Sequence, residues 1–246
     1  MLTSEVAEGI HWLEHAHVNV YFVEQEDRVM IVDAGLPGIW PHIRAALREL
    51  GFEDSVVALV LTHAHFDHVG VAAKLRTTYR LPILVHPGDA YIAAHPYRYK
   101  HELNRLTVPL RNPGSLPILG RMTLAGALTV RGVTDTLPLV PGIAGNLPGT
   151  PEIIHVPGHT AGHVALHFAD RQTLIVGDAL VTLNPYTGLK GPQIVSGAAT
   201  ADSPQALESL DRIAALPADR VLTGHGEPWL STPADAVAIA RLNGPS

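Results

Sequence analysis

Between Thr62 and His68 the chain reads Thr-His-Ala-His-Phe-Asp-His, which places three imidazoles and one carboxylate within six residues. Residue types at this spacing suit metal ligation. His63 and His65 stand two apart, and on extended backbone such positions share a face. Asp67 and His68 follow where a turn or a helix start would aim them at a second centre. There is no cysteine, so the ligands would be nitrogen and oxygen only. Histidine is common here, at 15 of 246 residues, and a chance cluster is the competing reading. Further signals in the right chain order decide against it. His159 lies on a glycine-flanked loop in Pro157-Gly158-His159-Thr160-Ala161-Gly162-His163. Val176-Gly177-Asp178 ends an apolar run with a carboxylate, and Gly224-His225-Gly226 ends another with a histidine.

Such groups need elements that end beneath them. Strand-like runs cover residues 10–13, 18–23 and 28–33, followed by a predicted helix over 37–50 with Ile39, Ile43, Ala46, Leu47 and Leu50 on one face. A strand over 56–61 delivers the histidine cluster. A helix over 69–79, a strand over 83–86 and a short helix opened by Pro87-Gly88-Asp89 come next. From about 95 to 150 the pattern degrades under Pro109, Pro113, Gly114 and Pro117. A stretch this long is functional or mobile. We read it as a cap insertion beside the metal cleft within a single domain spanning 1–246, with Leu116, Ile118 and Leu119 supplying an apolar inner surface. Strands return near 152–156, 164–168 and 173–176. Ser203-Pro204 reads as the N-cap and first residue of a helix, a strand over 220–222 delivers His225, and Thr232-Pro233 starts a last helix.

With these motifs in hand, the chain resembles the metallo-β-lactamase-fold hydrolase superfamily, whose pattern is H-x-H-x-D-H, a PGHT-type histidine, a bridging aspartate and a late Gly-His. The matching residues run from about Asn19 to Gly226 and include Val32-Asp33-Ala34-Gly35. The resemblance implies an α/β (α+β) fold, a four-layer αββα sandwich of two mixed sheets with helices on the outer faces. It also implies two metal ions: His63, His65 and His159 on the first, Asp67, His68 and His225 on the second, and Asp178 bridging. Zinc is the default for such ligands, with iron or manganese also compatible. A metal-bridging hydroxide would then attack a thioester, lactone or related ester or amide carbonyl, with Asp67 and Asp178 as the catalytic carboxylates and Asp67 moving the proton.

Among these enzymes the motif set is similar to glyoxalase II-like thioesterases. Those carry a helical C-terminal domain with basic residues that helps bind glutathione. Here Glu227 to Ser246 follow the last motif with Arg241 as their one cation, so efficient glutathione-thioester hydrolysis is not expected. Lactonases of the superfamily often place a tyrosine just after the bridging aspartate; here Ala179-Leu180-Val181 stands there and Tyr186 comes later. The alternatives are a mononuclear iron enzyme like the persulfide dioxygenases and a non-catalytic metal-binding relative, and the complete ligand set argues against the second.

Three more residues carry expectations. Asp33 would orient the ligand loops through hydrogen bonds, His163 would make a structural hydrogen bond rather than bind metal, and Tyr186 would rim the cleft and could donate to a carbonyl oxygen. A net charge of −6 argues against a nucleic-acid surface. The first residues lack the basic and apolar regions of a secretory signal, and no apolar stretch approaches the ~20 residues of a membrane span. A cytoplasmic enzyme acting on a small molecule, without nucleic-acid or membrane partners, is the expectation; the oligomeric state is left open.

Overall fold

Four strands open the chain and pair antiparallel in sequence order: Leu2–Ala7 (β1), Ile10–His15 (β2), Val18–Gln25 (β3) and Arg28–Val32 (β4). The computed structural model describes residues 1–246. The turn between β2 and β3 is Ala16-His17, both in the left-handed region at φ 54° and 66°. Two-residue hairpins favour such turns because their twist matches that of the strands.

After β4 the connections change to helical crossovers. Trp40–Glu49 (α1) leads to Val56–Val60 (β5), and Phe66–Val69 (α2) and Ala72–Tyr79 (α3) lead to Ile83–Val85 (β6). Ala90–Ala94 (α4), Thr107–Arg111 (α5) and Leu116–Leu124 (α6) precede Leu137–Pro138 (β7). Strands β4 to β7 are parallel, which completes a seven-stranded mixed sheet in the order β1 to β7.

The second sheet begins with Gly142–Ile143 (β8), Glu152–His155 (β9), Val164–Phe168 (β10) and Thr173–Gly177 (β11), paired antiparallel. A small hairpin, Val181–Leu183 (β12) with Lys190–Gln193 (β13), and the helix Ser203–Ala214 (α7) lead to Arg220–Thr223 (β14). β14 lies parallel to β11, and Pro233–Asn243 (α8) closes the chain. No helix is long and apolar enough to cross a membrane.

Alternation along the strands builds three apolar seams, and those seams make the four layers. Val29 and Ile31 of β4 face outward, where Ile43, Leu47 and Leu75 of the first helical layer cover them. Met30 and Val32 of the same strand face inward against Val164, Leu166, Phe168 and Ile175 of the other sheet. On the far side Ala165, Leu174 and Val176 meet Leu210, Ile213, Val237 and Ala240 of α7 and α8. The αββα sandwich follows directly.

Several expectations are corrected in detail. Strand β1 was not anticipated, because Leu2–Ala7 carries Thr, Ser and Glu at an edge where one flank is exposed. The helix expected over 69–79 starts only at Ala72, after α2 ends at Val69. Between them Gly70 is pressed against Gly35, its N–H donating to the Gly35 carbonyl at 2.8 Å, and a Cβ would collide with that oxygen. The cap of α7 is Asp202, which accepts from the Gln205 N–H, one residue before the expected Ser203. Within the expected cap, Leu137–Pro138 form β7 on an edge of the first sheet and Gly142–Ile143 form β8 on an edge of the second. Two-residue strands carry no period that a sequence could display.

Candidate metal centre

The functional side chains sit on the loops and the short helix α2 that follow the carboxyl ends of strands. β4 and β5 are parallel, so Asp33 and Thr62 emerge side by side. Asp33 has the left-handed φ of 64° and accepts from the Thr62 N–H and Thr62 hydroxyl, each at 2.8 Å, and from His68 Nδ1 at 2.9 Å. The Thr62 proton is thus committed to a carboxylate. Its oxygen can only accept from His63 Nδ1, 3.1 Å away, which leaves the His63 Nε2 lone pair facing the centre.

The remaining rings are aimed by the same device. Thr200 gives its proton to the Val195 carbonyl at 2.7 Å and lies 3.2 Å from His159 Nδ1, so His159 presents Nε2. His225 donates Nδ1–H to the His17 carbonyl at 2.6 Å, which gives the strained β2–β3 turn a task. His65 turns Nδ1 toward the centre, 3.0 Å from His159 Nε2. His163 accepts the Asp178 N–H on Nε2 at 3.0 Å. It takes no place among the converging atoms, and the expected structural hydrogen bond is there.

Asp178 lies at the middle. Its carboxylate is 3.2 Å from His225 Nε2, 3.5 Å from His159 Nε2, 3.5 Å from His68 Nε2 and 3.9 Å from His63 Nε2. Asp67 lies 3.3 Å from His225 Nε2. Three groups result whose candidate ligand atoms lie within 4.8 Å of one another: His63 with His65 and His159, His63 with His68 and Asp178, and Asp67 with His68 and His225. All seven residues singled out from the sequence are brought together, and all are buried. His63 Nε2, His68 Nε2 and Asp178 Oδ1 have no hydrogen-bond partner. Leaving buried polar atoms unpaired costs ~1–3 kcal/mol each.

Electrostatics divide the site. Burial holds His63 and His65 well below the ordinary imidazole range, and lowers His159 to about 3. Burial also works against a charged His68, yet Asp33, Asp178 and Asp67 raise it to about 9, and Asp178 and Asp67 lift His225 well above its ordinary value. Asp67 is lowered despite its burial by His68 and His225.

Other contributors were not foreseen. Asp89, fully buried after β6, accepts from Ala64 N–H at 3.0 Å, the Thr160 hydroxyl at 2.7 Å and Gly162 N–H at 2.7 Å. It thereby ties the His63–His65 loop to the His159 loop. The signal was Pro87-Gly88-Asp89 directly after a parallel strand, a place where a buried carboxylate can reach two loops. Asn19, also fully buried, donates from Nδ2 to the Thr223 and Gly226 carbonyls, both at 2.8 Å, and braces the His225 turn. Gly224 must be glycine, since a Cβ there would collide with Asp178 Oδ1. Tyr99 stacks on His65, and Phe66 stacks on Tyr97.

Tyr186 borders a small cavity of about 10 Å³ together with Asp67, Asp178, His225 and Tyr99. A separate cleft of about 660 Å³ is lined by Gly226, next to His225, and by Trp12, His17, Ile118, Arg121 and Trp229 among others. Around α6, Ile118 and Leu119 pack inward, whereas Leu116 is half exposed.

Comparison with known proteins agrees with this geometry. The profile of the metallo-beta-lactamase superfamily matches residues 14–225. The chain belongs to that superfamily. It is 28% identical over 239 residues to the probable metallo-hydrolase YflN of Bacillus subtilis (strain 168), covering 91% of this chain and 86% of that one. A hydroxyacylglutathione hydrolase of Xylella fastidiosa (strain 9a5c) is 30% identical over 225 residues, covering 90% of this chain and 64% of the other. Among solved structures, TTHA1623 in a di-iron-bound form superposes with a TM-score of 0.65 at 27% identity, covering 91% of this chain and 93% of that one. This metallo-β-lactamase-superfamily chain therefore has metallo-hydrolase relatives along nearly its whole length.

Proposed function

We propose that the protein is a dinuclear metal-dependent hydrolase of thioester, lactone or related carboxylic bonds in small molecules. One observation carries the reading: seven buried side chains from both sheets converge, and His63 Nε2, His68 Nε2 and Asp178 Oδ1 among them have no hydrogen-bond partner in the protein. That donor set fits two cations. His63, His65 and His159 would hold one, Asp67, His68 and His225 the other, and Asp178 would touch both. Five imidazoles and two carboxylates suit zinc, iron or manganese. The di-iron-bound form of TTHA1623 supports a pair of ions and makes iron a species to test beside zinc.

When bound, such ions polarise a carbonyl oxygen and bring the pKa of water close to neutrality. The chain's own groups do the rest. Asp67, kept ionised by His68 and His225, takes a proton from the attacking water and passes it to the leaving oxygen or sulfur. Asp178 holds the two halves of the centre at a fixed separation. The cleft past Gly226 is of ligand size and would take the body of the substrate between Trp12, Trp229 and Ile118. Residues 95–136, the part of the expected cap that precedes β7, would cover the centre through Tyr97 and Tyr99.

The test is elemental analysis of protein purified with zinc or iron(II), joined to hydrolysis of a panel of thioesters, lactones and esters. Two ions per chain with turnover on at least one panel member is the expected result. Protein that binds no metal would overturn the reading.

A further inference from the structure

Tyr99 carries a buried hydroxyl that nothing in the protein receives. The residue is 8% exposed, and its hydroxyl makes no hydrogen bond. Its ring stacks on His65 with centroids 3.8 Å apart and planes inclined at 30°. The Arg105 guanidinium lies 4.0 Å from the same ring centroid. Both groups cannot occupy one face at such distances, so the phenol is held between them. Arg105 also donates to the Tyr99 carbonyl at 3.3 Å. The ring is clamped, and its hydroxyl is fixed with it.

Phenylalanine would fill the same slot without stranding a donor in the interior, where an unpaired polar group is unfavourable. The hydroxyl belongs instead to the wall of the cavity shared with Tyr186, Asp67, Asp178 and His225. Tyr186 lines the same cavity, but the two hydroxyls do not meet hydrogen-bond distance and angle. Two neutral O–H donors thus border the space into which Asp67 and Asp178 also face. The space is about 10 Å³, roughly what one water molecule needs.

We propose that Tyr99 is a substrate-binding residue whose hydroxyl donates to the carbonyl oxygen under attack and to the carboxylate that hydrolysis leaves. The inference rests on the hydrolase reading above. Negative charge grows on that oxygen as water adds, and a preplaced donor in a dry site strengthens as it does so. Arg105 acts as a positioning residue for the ring.

The experiment compares zinc-loaded wild type, Tyr99→Phe and Arg105→Gln in turnover, zinc content, melting temperature and calorimetric binding of butyrate, a simple carboxylate. Tyr99→Phe should keep its zinc and its melting temperature, lose ~10²-fold in kcat/KM mainly through kcat, and bind butyrate about tenfold more weakly. Arg105→Gln, which leaves the hydroxyl in place, should lose several-fold with zinc unchanged. If Tyr99→Phe matches wild type within twofold in both turnover and butyrate binding, the proposal is overturned. Loss of zinc by Tyr99→Phe would also overturn it, since the residue would then serve His65 alone. Wild type that hydrolyses nothing but binds butyrate through Tyr99 would refute the hydrolase reading and leave the donor standing. Wild type that does neither would end both.

Discussion

The two halves of the centre are oriented by different chemistry. In the half made by His63, His65 and His159, the rings lean on neutral partners: the Thr62 and Thr200 hydroxyls and the face of Tyr99. Burial is the main cause of their low basicity, neighbouring imidazoles add to it and carboxylates oppose it at His65 and His159, and the rings stay uncharged. In the half made by Asp67, His68 and His225, a carboxylate and a strained-turn carbonyl orient the rings. Carboxylates raise both of those imidazoles instead. On the proposed two-ion reading, the first half is ready for a cation as folded, whereas the second must give up protons to take one. Affinity and pH response should differ between halves that look alike in sequence.

Asp178 is the one residue common to both, so removing its charge should erase the contrast. Asp178→Asn is expected to lose metal from both halves and to lower kcat/KM by ~10³-fold or more, about 4 kcal/mol. Metal counts and turnover on the same preparation check this. Asp33→Asn should instead sharpen the contrast. An amide nitrogen placed toward Thr62 or His68 meets a donor rather than an acceptor, so the His68 ring loses its brace. A partner that orients a ligand ring is worth ~10–100-fold in metal affinity. Asp33 holds the His68 ring directly and the His63 ring only through Thr62, so chelator titration should show the ion of the Asp67, His68 and His225 half leaving first and the other weakened less. Equal weakening of both would break the division.

How much of this was readable beforehand follows from how each part is specified. The seven converging residues were legible because their spacing is local: two histidines on one strand face, an Asp-His pair at a helix start, and single ligands at the ends of apolar runs. The layers were legible from strand alternation and helix faces such as Ile43 with Ala46 and Leu47. Asp89, Thr200 and Tyr99 were not. Each acts on a residue far along the chain, Asp89 on Gly162 and Thr200 on His159, and a lone Asp, Thr or Tyr carries no period to announce it. The same holds for β7 and β8, whose pairing is decided by the edges they meet.

Acid and base should separate the halves in metal-free protein. His159 titrates near 3 when folded against an ordinary 6.5, so below 6.5 the unfolded chain binds a proton that the folded one refuses. Stability from this half is therefore lost as pH falls from about 6.5 toward 3. His68 is raised from 6.5 to about 9. Its contribution is fully present below 6.5 and is lost as pH rises through 9. Urea midpoints of chelator-treated protein should peak near neutrality and decline on both sides. His68→Gln should reduce only the alkaline decline, the remainder belonging to His225, and a wild-type profile already flat from 6.5 to 9 would contradict the carboxylate account of this half.

The smallest effect belongs to a hydroxyl. Thr200→Val keeps nearly the same shape but removes the acceptor for His159 Nδ1–H and the donor to the Val195 carbonyl. The backbone carbonyl loses one bond, worth ~1 kcal/mol, so a modest drop in melting temperature is expected. The ring loses the partner that fixes its tautomer, and His159 can then present a protonated Nε2 part of the time. Metal affinity of the first half should fall by about tenfold, the low end for an orienting partner, while the second half keeps its own. Chelator competition should therefore reverse the order of release seen with Asp33→Asn. That reversal is the sharpest check available, because it compares two variants in one protein and needs no knowledge of the substrate. If both variants release the same ion first, a hydroxyl and a carboxylate are not doing separate jobs, and the two halves form one cooperative site.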